Sequence, residues 1–256
     1  MHPDLIPGLP VKTYGFCMAL GFLAAWQVLS WLCRRTGRAA EPLSNLLMLM
    51  MFSGIVGARL EYVREFWGRE FAANPLSIFK VWQGGLVFYG GLILAIAVFF
   101  VWCRARRESV APVADLFVTV IPLAHAFAVA FPRRSPAWVA QVEGGLIPDT
   151  AQSSLAVLPT QLFEAAAVLG LFAALLFIFR RNWKTRPGFT TGCYLVGYAC
   201  IRFGIEFLRD DMRQRVGILS IGQTVSIGLF VLGISFILVS LLRSRAENCK
   251  IIGPTN

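Results

Sequence analysis

The sequence predicts an all-α protein that crosses a membrane with seven helices. Apolar residues make up 57% of its 256 residues and charged residues only 15%, whereas about a quarter of an average soluble domain is charged. Seven nearly uncharged stretches each reach the roughly 20 residues that a helix needs to span a bilayer. They lie at about 14–33, 43–63, 84–102, 110–131, 159–179, 189–207 and 219–242. The connections are too short for a separate folded unit, so we expect one membrane domain over residues 1–256.

The placement of the basic residues predicts how the helices are oriented. Clusters follow the first, third, fifth and seventh stretches, and the positive-inside rule then puts the N-terminus outside and the C-terminus in the cytoplasm. The formal net charge of +10 is explained by these clusters, so we expect no nucleic-acid partner. The clusters are Arg34, Arg35 and Arg38; Arg104, Arg106 and Arg107; Arg180, Arg181, Lys184 and Arg186; and Arg243, Arg245 and Lys250.

The first two stretches differ in what surrounds them. No basic cluster precedes the first stretch and no small-residue cleavage pattern follows it, so we expect it to be kept rather than removed as a signal peptide. The second stretch carries Arg59 and Glu61 near its end. The connection at 64–83 mixes aromatic rings with cations, which is typical of a segment in the outer headgroup layer. An aromatic belt that only anchors the fold explains the same pattern.

The third stretch opens with the sequence GGLVFYGG, in which two glycine pairs flank Tyr89. Glycine lets a backbone approach another group closely. That group is a lipid headgroup on a functional interpretation, and a neighbouring helix on a structural one. The motif taken alone favours helix packing. The four glycines are Gly84, Gly85, Gly90 and Gly91.

Stretches four to six carry ionisable residues that a bilayer makes costly. They are Asp115 and His125, then Glu164, then Arg202 with Glu206. A charge at the centre of a spanning helix costs roughly 2.5–3.5 kcal/mol on insertion scales, so such residues are candidates for function. Arg202 and Glu206 are spaced i,i+4 and share a helix face, where they can pair. A purely structural ion pair is an equally good explanation of that spacing.

The remaining polar features exclude several classes of site. Arg133 and Arg134 follow the fourth stretch, where a lipid phosphate or only solvent would meet them. Six cysteines show neither metal spacing nor a disulfide pattern. His2 and His125 are the only histidines, so a site of several histidines is excluded and no metal is expected. Nucleotide-binding and serine-hydrolase motifs are absent from the sequence, and a transporter would carry its intramembrane charges closer to the midplane.

Several motifs together resemble the bacterial prolipoprotein diacylglyceryl transferase family. The pieces occur in the family's order across nearly the whole chain, and the predicted topology is similar to that of the family. They are TYG at 13–15, GARLEY at 57–62, VWQGGLVFYGGL at 81–92, LPTQLFE at 158–164, GYACIRFGIEFLR at 197–209 and SIGQ at 220–223.

The resemblance implies an enzyme of the bacterial cytoplasmic (inner) membrane. Its reaction would move a diacylglyceryl group from phosphatidylglycerol to the lipobox cysteine of a prolipoprotein signal peptide, with no cofactor. Arg202 then matches an essential family arginine that would bind the lipid phosphate, helped by Arg134. The resemblance also matches Tyr14 and Tyr198 to family tyrosines near the lipid site, and Gln161 with Glu164 to a polar pair of the family. With the candidates named above, these complete the expected substrate-binding residues: Tyr14, Arg59, Gly84, Gly85, Gly90, Gly91, Arg133, Gln161, Glu164, Tyr198 and Glu206.

The sequence departs from the family at two places that bear on activity. Tyr89 stands where the family motif has a histidine, and tyrosine is a poor proton acceptor at neutral pH. The family signature after the fourth helix is replaced by FPRRSPAWVAQVEGG, into which Arg134 and Glu143 fit only with shifted spacing. LPTQLFE also has leucine where the family usually has histidine.

Two hypotheses follow from these departures. In the first, a divergent transferase uses Arg202 and Arg134 for the phosphate and Tyr89 to orient the headgroup, and water, Glu143 or His125 takes up the thiol proton. In the second, a paralogue keeps the fold and a lipid site but no longer catalyses transfer, and binds lipid or a membrane partner. The family signature after the fourth helix also contains an asparagine that this sequence lacks. Loss of that asparagine together with the histidine at position 89 favours the second hypothesis more than either loss alone.

Overall fold

The structure is a computed structural model that describes residues 13–72, 74–81, 84–130, 160–208, 215–216 and 219–251. Seven long α-helices occupy most of this part of the chain, which confirms the all-α class. Two pairs of residues, Arg215–Val216 (β1) and Leu219–Ser220 (β2), form a minimal antiparallel ladder. The helices are α1 (Thr13–Thr36), α2 (Ala40–Phe66), α3 (Phe88–Ala105), α4 (Val110–Ala130), α5 (Thr160–Asn182), α6 (Phe189–Phe207) and α7 (Ile221–Ile251).

Six of these helices are long and apolar enough to cross a membrane, counted over the described residues. The remaining helix, α6, has 19 residues, which is long enough for the hydrocarbon core, but it contains Arg202 and Glu206. The protein is therefore a multi-pass membrane protein, whereas the side on which each terminus lies stays a prediction.

The third helix begins four residues later than the sequence predicts. Gly84 has φ +92° and Gly85 has φ +72°, and both values lie outside the right-handed helical region. Residues 84–87 are consequently non-helical, and α3 starts at Phe88. Hydropathy alone missed this boundary because the residues before Phe88 are as apolar as the helix itself.

Two compact units are distinguished within the described chain, and the prediction of a single domain stays untested. One comprises residues 28–113 and the other residues 1–27 with 114–256. In the unit 28–113, α2 packs tightly on α3 through glycines. A Cβ on Gly57 would lie 2.5 Å from the carbonyl oxygen of Gly90, and one on Gly91 would lie 2.6 Å from that of Gly54. Small residues therefore allow these two backbones to touch.

In the other unit, α6 packs between α5 and α7, and hydrogen bonds connect α4 to the N-terminus of α6. Asp115 of α4 is buried and accepts hydrogen bonds from the Gly188 amide (2.7 Å), the Thr191 amide (2.8 Å) and the Thr191 hydroxyl (2.6 Å). The first amides of a helix lack intrahelical partners, and a carboxylate at this end also complements the helix dipole. Asp115 thus acts as a cap supplied by another helix.

Candidate functional site: a polar cluster on α4, α5, α6 and α7

The polar residues of the unit 1–27 with 114–256 converge on Arg202. Its Nη1 lies 3.6 Å from Oε1 of Glu164, on α5, and its Nη2 lies 3.5 Å from Oε2 of Glu206, one turn along α6. The two carboxylates are nearly buried, with 7% and 6% of their side chains exposed, whereas 19% of Arg202 is exposed. These separations exceed the 2.7–3.2 Å of N–H···O hydrogen bonds, so the two ion pairs do not fix the guanidinium rigidly.

His125 of α4 joins this cluster through Glu164. Its Nε2 lies 3.7 Å from Oε1 of Glu164, the same oxygen that faces Arg202. The imidazole packs against the ring of Tyr198 at a centroid distance of 5.5 Å, and Tyr198 stacks on Tyr194 at 6.0 Å. About a quarter of the His125 side chain is exposed, so the imidazole is reachable from outside the protein.

The helix order places the cluster close to one end of this unit. His125 lies five residues before the end of α4, Glu164 four residues after the start of α5, and Arg202 five residues before the end of α6. At 1.5 Å per residue each is about 6–8 Å from its helix end. In helices that span the hydrocarbon core, residues this close to a helix end are expected nearer the headgroups than the bilayer centre.

Glu206 is held against the first turn of α7. A Cβ on Gly222 would lie 3.1 Å from its Oε2 and 3.2 Å from its Oε1, so glycine leaves the space that the carboxylate fills. Oε2 is buried and makes no hydrogen bond within the described residues. The positive end of the α7 dipole nevertheless favours a negative charge at this position.

Arg59, in the unit 28–113, is engaged by backbone carbonyls. Its Nε donates to Ile78 O (2.8 Å), Nη2 to Ser77 O (2.6 Å), and Nη1 to both Gly84 O (2.8 Å) and Gly85 O (3.1 Å). The guanidinium is buried, and it also lies over the rings of Tyr62 and Phe71 at 5.6 and 5.3 Å. Four of its five N–H donors are thus used by the loop that precedes α3.

This arrangement explains the first glycine pair of GGLVFYGG. Both Gly84 and Gly85 take positive φ so that their carbonyls converge on one nitrogen of Arg59. A Cβ on Gly85 would lie 2.5 Å from Cε1 of Tyr62 and 2.8 Å from Nη1 of Arg59. The second pair, Gly90 and Gly91, lies in the contact between α2 and α3. Helix and loop packing therefore accounts for all four glycines, and their role in substrate binding stays a prediction.

The other predicted residues are placed as follows. Tyr89 lies in the first turn of α3 with 52% of its surface exposed, and its ring packs on Phe88. Gln161 lies on α5, three residues before Glu164 and so on the same helix face. Tyr14 belongs to α1, but its side chain is not among the described ones. Arg133, Arg134 and Glu143 lie outside the described residues.

Two neighbours of the cluster were missed from the sequence. Tyr194 was missed although Tyr194, Tyr198, Arg202 and Glu206 follow one another at four-residue intervals on α6. That spacing forms one continuous polar stripe on a helix, and a search for such stripes would have found it. Gly222 could not be predicted from the sequence, since its role depends on contact with a carboxylate on another helix.

A groove opens between α6 and α7 beside the cluster. Its volume is about 230 Å³ and its lining is almost entirely apolar. Along α7, the groove begins at Ser226, roughly 6–7 Å from Gly222 at 1.5 Å per helical residue. The lining residues are Ala199, Cys200, Phe203, Ser226, Ile227 and Phe230.

Comparisons with known proteins give a consistent result. Residues 4–239 match the family model described as prolipoprotein diacylglyceryl transferase. The chain is similar to proteins named phosphatidylglycerol–prolipoprotein diacylglyceryl transferase in Rhodospirillum rubrum, at 32% identity over 95% of this chain and 92% of the relative. The protein of that name in Vibrio cholerae is 32% identical over 94% and 91%, and the one in Cereibacter sphaeroides 29% identical over 92% and 96%.

Proposed function

This chain belongs to the prolipoprotein diacylglyceryl transferase family, and from that membership we propose that it transfers diacylglyceryl from phosphatidylglycerol to a lipobox cysteine. The thiol of a prolipoprotein signal peptide is the acceptor, and glycerol phosphate is the product that leaves. The relatives named above are bacterial, so we place the protein in the cytoplasmic membrane, with its N-terminus outside.

The observation that carries this proposal is the convergence of Glu164, Arg202 and Glu206 near one end of their helices. The reaction breaks a carbon–oxygen bond, so negative charge grows on the departing phosphate. A guanidinium binds phosphate oxygens in a planar, two-point manner. Arg202 is loosely held by its two carboxylates and partly exposed, which leaves donors free to turn towards a lipid phosphate.

The apolar groove between α6 and α7 supports the same proposal. Ala199, Phe203 and Glu206 recur at i, i+4 and i+7, so the groove and the charged cluster lie along one stripe of α6. A headgroup at Arg202 would direct an acyl chain along this stripe. One turn of an α-helix fills about 500 Å³ at 10–12 Å diameter, so the groove fits a hydrocarbon chain better than a signal-peptide helix.

Tyr89 favours the second hypothesis, a relative that binds lipid without transferring it. This exposed tyrosine occupies the position at which the family motif has a histidine, and tyrosine is a poor proton acceptor at neutral pH. A lipid-binding role requires only reversible capture of the headgroup and no proton acceptor.

A transfer assay separates the two functions. Membranes that contain the protein are mixed with phosphatidylglycerol and a lipobox peptide, and mass spectrometry detects the thioether-linked diacylglyceryl product. We expect product from the wild type and a loss of about 10²–10³-fold in Arg202→Ala, as for removal of one donor to a developing anion. Arg181→Ala, at the other end of α5, is the matched control and should retain full rate. Absence of product from the wild type, beside an active relative, would leave the lipid-binding role.

A further inference from the structure

We propose that His125, oriented by Glu164, is the base that removes the proton from the acceptor thiol. This inference rests on the proposed transfer reaction, since a lipid-binding relative would need no base. The thiolate, not the thiol, is the nucleophile in sulfur chemistry. A transferase of this type therefore needs a proton acceptor within reach of the cysteine.

The geometry of His125 fits that role. Nε2 of the imidazole faces Oε1 of Glu164 at 3.7 Å, so the carboxylate favours the tautomer that carries its proton on Nε2. Nδ1 is then left with a lone pair that can accept a proton. A histidine oriented by a carboxylate in this way is the arrangement by which many enzymes activate a nucleophile. The distance is longer than a hydrogen bond, as is common in the absence of substrate.

The surroundings of His125 support a change of its charge during the reaction. Glu164 of α5 would stabilise the imidazolium, while Tyr198 of α6 packs against the ring. Arg202 faces the same Glu164 oxygen, and Tyr194 lies beyond Tyr198. Base and anion-binding group thus share one carboxylate.

The step balances as follows. The thiol proton passes to Nδ1 of His125, and the sulfur attacks the glycerol methylene carbon that bears the phosphate. A carbon–sulfur bond forms, the bond from that carbon to the phosphate oxygen breaks, and glycerol phosphate leaves beside Arg202. The imidazolium then returns its proton to the departing phosphate or to water. No oxidant, metal or further reactant is consumed.

Neighbouring groups do not offer an equally good acceptor within the described residues. Tyr89 is a tyrosine and so a poor proton acceptor at neutral pH. Glu206 has only 6% of its side chain exposed and lies against Gly222. Glu164 itself is only 7% exposed and interacts with both His125 and Arg202, so it is better placed to orient the imidazole than to meet a thiol.

The test compares two acceptor peptides, one with cysteine and one with selenocysteine in the lipobox. A selenol is more acidic than a thiol and is already ionised at neutral pH, so it needs no base. We expect His125→Gln to lower the rate with the cysteine peptide by about 10²–10⁴-fold, as for loss of a general base. The selenocysteine peptide should recover most of that loss. Arg202→Lys is the matched control, because it should slow both peptides equally.

A second variant distinguishes loss of the base from misfolding. His125→Ala leaves a space in which added imidazole can act, and we expect imidazole to raise its rate with the cysteine peptide but not that of Arg202→Lys. Equal losses on both peptides, or an unchanged rate in His125→Gln, would overturn the assignment and leave the transfer function standing. No transfer by the wild type to either peptide would overturn the function and the base together.

Discussion

Replacing Arg59 with methionine tests whether this arginine holds the loop before α3 or binds lipid. The change keeps the length of the side chain and removes all its donors. Hydrogen bonds to a charged group contribute about 1.5–3 kcal/mol each, so the four bonds of Arg59 sum to at least about 6 kcal/mol. Energies within one network are not additive, and the released carbonyls regain water. We therefore expect about half of that sum, roughly 3 kcal/mol, to be lost locally.

Trypsin cleavage after Lys80 reports this loss directly. Lys80 lies between the carbonyl pairs of Ser77 with Ile78 and Gly84 with Gly85, all of which Arg59 binds. A loss of 3 kcal/mol corresponds to an increase of about 10²-fold in local opening, and cleavage by trypsin should accelerate accordingly. Arg64→Met is the matched control. The Arg64 side chain is 73% exposed, and among the described residues its ion pair is with Glu61 of the same helix, so cleavage should not change.

Two outcomes would refute this account of Arg59. Unchanged cleavage at Lys80 in Arg59→Met would show that the carbonyl contacts do not hold the loop. Normal cleavage together with weaker phosphatidylglycerol binding would make Arg59 a lipid ligand, as its position in the GARLEY motif predicts. Gly85→Ala supplies an independent check, because its Cβ meets Tyr62 and Arg59 and should open the same loop.

Two further predictions concern packing in each unit. Asp115→Ala leaves the Gly188 and Thr191 amides without their acceptor, which costs about 1–3 kcal/mol for each amide. The thermal unfolding temperature in detergent should therefore fall clearly. Asp115→Asn keeps one acceptor oxygen and should recover part of the loss. Equal unfolding temperatures for wild type and Asp115→Ala would contradict the capping role. Cys200→Trp fills the groove between α6 and α7 and should slow transfer from long-chain phosphatidylglycerol more than from short-chain phosphatidylglycerol. Val231→Trp, on an exposed part of α7, is the control and should not show this difference. Equal effects of the two tryptophans would reject the groove as an acyl-chain site.

Hydropathy predicted the helices well because insertion into a bilayer depends on composition over about 20 residues. The predicted stretch 189–207 coincides with α6, and 110–131 differs from α4 by one residue. The start of α3 was predicted four residues early, since positive φ at Gly84 and Gly85 is a property of the backbone that an apolar average does not register. Helix ends at basic clusters extend beyond the apolar windows, because a helix continues into the headgroup layer.

The candidate site was predictable only where its residues share a helix. Arg202 and Glu206 were paired from their i,i+4 spacing, and the structure places them together. The contact of both His125 and Arg202 with one oxygen of Glu164 depends on three helices, so no spacing in the sequence reveals it. Arg59 was predicted to bind substrate, yet its partners are backbone carbonyls 18 to 26 residues away. Because every residue carries a backbone carbonyl, the types of side chain in the sequence do not reveal which carbonyls Arg59 binds.

Lipid selectivity of the purified protein tests the headgroup site most directly, because it does not depend on catalysis. Wild type, Arg202→Ala and Arg181→Ala are each exchanged into mixed phosphatidylglycerol and phosphatidylcholine, and native mass spectrometry counts the lipid that stays bound. We expect the wild type and Arg181→Ala to retain phosphatidylglycerol preferentially, and Arg202→Ala to lose that preference by at least about tenfold, the equivalent of one charge-assisted hydrogen bond. Retention of phosphatidylglycerol by Arg202→Ala at the level of the wild type would contradict a headgroup site at this cluster.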